Sequence, residues 1–181
     1  IKRHFRRRAA ESFLRPFVRR AYRREITDLE ISRLMVLVKR GSDQRGKFEE
    51  GIRLAVMAVL VSPHFLFRWE LDGGPDEPKA MRQLNEHELA SRLSFFIWRS
   101  TPDDRLLGLA RKGGLRKQID SEVKRMLRDK RADGLVKDFT GQWLELRNLD
   151  VYKPDKNLFP TYTAELRNDM RGETELLYSH V

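Results

Sequence analysis

Apolar residues recur along this chain at intervals of three and four, and no period-two alternation survives over a useful length. Helical periodicity therefore runs from end to end, and no strand is expected. Phe5, Ala9, Phe13, Leu14, Phe17, Val18, Ala21 and Tyr22 make one face of a helix over 5–22, with arginines opposite. Pro16 should kink or restart it, because its ring removes a backbone donor and meets the preceding turn. Thr27 and Glu30 then form a capping box, with Ile26 and Ile31 as the hydrophobic staple and Gly41 as the expected stop. Ile31, Leu34, Met35 and Val38 are the buried stripe of this second helix. A third runs from Phe48 to Val61 and is apolar all round beyond Leu54, which predicts a central, buried position. Pro63 should end it.

The second half repeats this grammar. Asn85 and Glu88 form another capping box, flanked by Leu84 and Leu89, and open a helix ending near Trp98. Thr101 as cap, Pro102 at the first position and Asp103 and Asp104 in the first turn start the next, which Gly113 and Gly114 close. A helix over 116–129 should turn Ile119, Val123 and Leu127 inward. One over 131–146 should bury Leu135, Val136, Phe139, Trp143 and Leu146. "YKPDKNLFPTY" (152–162) is an extended connector to a last helix carrying Leu166, Met170, Leu177 and Val181. The expectation is an all-α fold, an irregular, orthogonal bundle of about seven or eight helices in two packed sub-domains. Residues 1–70 form the first and 84–181 the second, which should be truncated at its C-terminus because the helical pattern is still running where the sequence stops. Residues 71–83, dense in Gly, Pro and charge, form the linker.

Charge changes this picture at one end only. Residues 1–24 hold ten basic residues against one acidic, or +9, while the remainder holds 27 against 26, or +1. The body is nearly neutral behind a basic leading helix. That helix could meet nucleic acid or an anionic membrane, but no stacking or base-reading residues are organised on it. Arginine also covers apolar surface well with its stem, so packing on the core is the leading reading. With no Cys in 181 residues, thiolate metal sites, a Cys nucleophile and c-type haem attachment are excluded from this segment. The longest apolar run, Leu54 to Val61, is too short to cross a bilayer.

Chemistry is sparse. His4, His64, His87 and His180 are scattered, and none has a metal-ligand spacing. His64, in "SPHF" after the third helix, is a low-ranking ligand candidate and more simply a partner for backbone carbonyls. Glu173 and Glu175 are two apart and so face different directions, although the helical stripe passes close to Glu173 and places a polar residue there. His180 shares a helical face with Glu173. "FTGQWLELRNL" (139–149) sets Gly141, Gln142 and Trp143 inside a helical pattern, where a Gly costs about 1 kcal/mol relative to Ala. With nothing ionisable beside them, Gly141 reads as a point of close helix approach and Trp143 as buried volume, while Gln142 serves a buried partner or points to solvent. No catalytic residue, metal site or cofactor site is assigned.

Several of these stretches recur together in a known family. They are "RRAYRREITDLEISRL…FEEGIRLAVMAVLVSPHFLFRWE" (19–70), "LNEHELASRLSFFIWRSTPDDRLLGLA" (84–110), "LRKQIDSEVKRMLRDKRADGLVKDFTGQWLELRNLD", "PDKNLFP" and "ETELLY". On them the chain resembles a helical family of unknown function abundant in Planctomycetes. In that family two consecutive domains of unknown function occur in large proteins that also carry cytochrome c-like haem domains. "GQWLELRNL" looks like one of its signatures. The resemblance implies a module of a larger periplasmic or cell-surface protein whose partners are other domains of the same polypeptide, cytochrome c-like ones among them. Haem c would then sit outside this segment. A structural or docking role leads. The alternatives are part of an oxidoreductase acting on a glycan or another polymer, and binding to nucleic acid or an anionic surface through the basic helix.

Overall fold

The computed structural model describes residues 2–68, 70 and 82–179, with the side chains of Lys2, Arg3, His4 and Arg45 left aside. Residues 71–81, which hold nearly all of the expected linker, lie outside the described residues, as does His180. Among the described residues every regular element is helical, and there is no strand. Contacts divide the chain into two compact units. The first is Ile1–Ser94 with Thr101–Ile119, and the second is Phe95–Ser100 with Asp120–Val181.

The first unit is built on three helices, α1 (Lys2–Tyr22), α2 (Asp28–Arg45) and α3 (Phe48–Leu60). Ala10, Leu14, Val18 and Ala21 lie on one face of α1, and with Ile31, Leu34 and Val38 of α2 and Ala55 and Val59 of α3 they make one buried cluster. The helix α1 continues through Pro16 without a restart. Thr27 and Glu30 make both bonds of the capping box. The helix α2 does not stop at Gly41, however. It runs on to Arg45, and Gly46 ends it in the left-handed conformation, φ 68°, where a residue without Cβ carries no steric penalty. Gly41 stays inside the helix for a different reason: a Cβ there would lie 2.9 Å from both the Glu50 carbonyl oxygen and the Gly51 Cα. A Cβ on Gly51 would overlap the Val38 carbonyl and the Ser42 hydroxyl. The two glycines let the α2 and α3 backbones meet. Only one stripe of α3 is buried (Gly51, Ala55 and Val59), and Met57, Leu60 and Val61 are exposed. The all-round apolar character of α3 therefore does not make it central.

Pro63 ends α3 but also begins α4 (Pro63–Leu66), where Ser62 caps by accepting the His64 N–H. Asn85 and Glu88 bond reciprocally at the start of α5 (Glu86–Trp98), at 2.9 and 2.8 Å. The helix α6 (Asp104–Arg111) begins later than Thr101 and Pro102 predict, because Asp103 supplies the cap by accepting the Leu106 N–H at 2.9 Å. Asp104 is thereby left to accept from Arg19 and Arg20 of α1. Arg20, and then Arg19, hold the Asp104 carboxyl below its usual range. With Arg15 bonded to Asp28 at 2.7 Å and Arg24 to Glu30, much of the leading helix's charge is answered within the unit. Among the described residues no helix is long and apolar enough to cross a membrane.

A 3-10 turn (Arg116–Gln118) at the end of the first unit leads into α7 (Ile119–Leu127), nearly all of which belongs to the second. The buried residues of α7 are Glu122 and Met126, and Leu127 is exposed, so the inward face sits one position from the expected one. Glu122, fully buried, accepts from Arg125 at 2.8 Å. The Trp98 Nε1–H donates to the Met126 carbonyl at 2.9 Å, and the Arg125 and Arg131 guanidinium carbons lie 5.3 and 3.5 Å from its ring centroid. After a second 3-10 turn (Lys130–Ala132), three short elements follow in series: α8 (Asp133–Leu135), a π-helical turn (Val136–Thr140) and α9 (Gly141–Trp143). The helices α10 (Asn148–Val151) and α11 (Ala164–Ser179) complete the unit.

Candidate functional site

The structure divides the candidate residues between the units. His64 belongs to the first, where Arg23 organises its surroundings. Arg23 has φ 58° and a side chain turned inward. Its guanidinium donates to the carbonyls of Ala21, His64, Phe65 and Phe67, at 3.1, 2.7, 3.2 and 2.7 Å. These acceptors are carbonyls left open where α1 and α4 end, so one side chain answers the termini of two helices. Burial, and then the nearby Arg68 charge, lower the Arg23 pKa from its ordinary value. The His64 ring is exposed and lies 5.2 Å from the Tyr22 ring in a tilted stack. "SPHFLF" is thus bound to Arg23 through its backbone, and the imidazole is a surface group beside an aromatic ring.

Gln142, Glu173 and Glu175 belong to the second unit. The five-residue turn Val136–Thr140 holds one more residue per hydrogen-bonded loop than an α-helix does. The buried Thr140 hydroxyl donates to the Val136 carbonyl at the start of the turn, a local bond that competes with regular helix. The inserted residue rotates the next helical turn. Thr140 and Gly141 go inward, while Phe139 and Trp143 are exposed, Trp143 by 61%. This corrects the expectation of a buried indole. Gly141 needs correction too: it is buried, yet a Cβ there would meet nothing within 4 Å, so no backbone approaches it.

Trp143 packs on the surface instead. Its ring centroid is 5.7 Å from Phe139 and 6.1 Å from Tyr178 of α11, the latter edge-on. Next to Phe139 in the chain, Asp138 faces two guanidinium groups, pairing with Arg99 and lying 3.7 Å from Arg147. Arg99 itself has φ 55°. Gln142 and Glu173 are exposed and Glu175 is half-buried. Among the described residues no hydrogen bond or ion pair joins these three, and no cluster of three His, Asp or Glu could hold a metal ion. The geometry offers an exposed aromatic surface and an ion-pair cluster, not a convergent set of reacting groups.

What sequence reasoning missed here is Asp138 with Arg99 and Arg147. Their separation along the chain hides the cluster. The one local hint was a Thr four residues after a Val just before a Gly, a spacing that also occurs in ordinary helices.

Comparison with curated proteins and with solved structures finds no match. Two family models do match, in the order and over the segments just described. Residues 9–70 match the family described as PSD5, protein of unknown function (DUF1595). Residues 84–181, more than half of the chain and all of the π turn, Gly141–Trp143 and α11, match PSD4, protein of unknown function (DUF1592), and the chain belongs to that family.

Proposed function

We propose that this chain is a non-catalytic docking module of a larger extracytoplasmic, cytochrome c-associated protein, its sub-domains 1–70 and 84–181 joined by the 71–83 linker. One observation carries the reading. The helix α11 is 16 residues long and has no buried residue, and Leu176 and Leu177 stand exposed just before Tyr178, whose ring meets Trp143. An amphipathic helix takes most of its stability from covering its apolar face. Aromatic side chains with neighbouring aliphatic ones are also what the centre of a protein interface uses. The docking partner is another domain of the same polypeptide.

Hydroxyl-radical footprinting of the isolated chain and of the full-length polypeptide tests this. Trp143 and Leu177 should oxidise readily in the first and be protected in the second, while exposed Val36 and Met57 change little. Equal oxidation of Trp143 and Leu177 in both would overturn the docking role.

A further inference from the structure

The connector and the start of α11 enclose an open cavity of about 220 Å³ whose lining includes Tyr152, Lys153, Lys156, Phe159, Tyr162 and Arg167. Its charge is one-sided. Lys153 and Lys156 have no carboxylate partner among the described residues. Arg167 has its Nε 4.0 Å from Asp150 Oδ1, while Arg171 holds the other oxygen of that carboxylate at 2.8 Å. Asp155 lies between the two lysines in sequence, but its Oδ1 accepts the Asn157 N–H at 2.8 Å in a local turn. The start of α11, where Thr163 caps by accepting the Leu166 N–H, adds to the positive side without being needed for the argument.

The second observation is a missing partner. The Tyr162 hydroxyl and the Arg167 Nε are shut off from solvent, and neither has a hydrogen-bond partner. Buried polar atoms are rarely left this way, because each one costs its lost hydration. Tyr162 and Arg167 both line the cavity, and a rotation of either side chain would bring its unanswered donor to an incoming oxygen. Tyr152, Phe159 and Tyr162 add aromatic rings to the lining, and flat faces of that kind suit a ring.

We propose that this cavity is a binding site for a ring compound bearing a phosphate or sulfate ester. The ester oxygens are shared among Lys153, Lys156, Arg167 and the Tyr162 hydroxyl, and the ring rests on the aromatic wall. Several oxygens on one tetrahedral group can serve spread donors that a single carbonyl oxygen could not. The site is independent of the docking surface, since it uses neither Trp143 nor Leu177.

Titration calorimetry on the whole chain, at low ionic strength, tests it with phenyl phosphate and glucose 6-sulfate as the two ring types and phenol and glucose as uncharged controls. At least one ester should bind saturably, and the tighter of the two identifies the ring that the wall accepts. Lys153→Gln with Lys156→Gln should weaken binding by about tenfold or more, the effect of losing charge-assisted contacts. Tyr162→Phe should weaken it by a smaller factor. All three positions lie at the surface cavity, and a circular dichroism melt checks that the variants remain folded. Absence of saturable binding by either ester, binding unchanged in the double lysine variant, or equal binding of phenol or glucose would each overturn the proposal.

Discussion

The two units use the same residue types to different ends. In the first, Leu14 and Val18 of α1 and Val59 of α3 are completely buried, and Gly41 and Gly51 bring two backbones into contact. In the second, the buried positions include a carboxylate and two small residues, Glu122, Thr140 and Gly141, while Phe139, Trp143 and Leu177 face outward. Periodic apolar positions thus mark a face that needs covering, and they do not say whether the cover lies within the same compact unit. The first unit covers its own face. The second leaves much of its face open.

The sharpest way to break this comparison is to truncate one large side chain from each unit. Leu14→Ala removes a fully buried side chain and should destabilise by about 2–5 kcal/mol. Trp143→Ala removes a larger group that is mostly exposed and should cost about 1 kcal/mol or less, chiefly its aromatic contacts. Urea titrations of both variants measure the two numbers. Equal losses would show that Trp143 is as much a core residue as Leu14 is.

Glycines sharpen the contrast at a smaller scale. Gly51→Ala drives a methyl group into the Val38 carbonyl and should destabilise by about 1–3 kcal/mol. Gly141→Ala enters open space at a right-handed helical position, φ −60° and ψ −33°, and should stabilise by about 0.5–1 kcal/mol through a less flexible unfolded chain. Thermal melts that moved both variants in the same direction would remove the distinction.

A last expected effect is read from the pH dependence of the first unit's stability. Arg24 chiefly, helped by the Thr27 amide and hydroxyl and opposed by burial, lowers the Glu30 carboxyl from 4.5 to about 2. A depressed carboxyl contributes stability that is fully present above its unfolded value and is lost as the pH falls through its folded one. Stability from this cap should therefore decline between pH 4.5 and 2. Glu30→Gln should cost about 1 kcal/mol at neutral pH and flatten that decline. An acid-unfolding curve of unchanged steepness in the variant would mean that the decline comes from other carboxylates.

Local chemistry was legible in the sequence and long-range packing was not. The boxes at Thr27 with Glu30 and at Asn85 with Glu88 form as written, because each bond spans three residues and needs no other part of the fold. Gly41 was misread as a stop, since its purpose is set by Glu50 and Gly51 on another helix. The cap at Asp103 displaced Thr101 by two residues, and Asp104 became available to arginines some 85 positions away. Candidate sites suffered most. His64 owes its setting to Arg23, 41 positions earlier, and the face of Trp143 depends on a helix type that apolar spacing does not encode.

The turn at Val136–Thr140 can also be viewed as an insertion preserved in the chain. Were the same five residues wound as an ordinary α-helix, each would advance by about 100° instead of the smaller step of a π turn, and every later position of that helix would be turned with them. The indole of Trp143 would then leave the side on which Tyr178 now meets it. The winding of this short segment is therefore as much a determinant of the outward-facing aromatic surface as the identity of any residue on it.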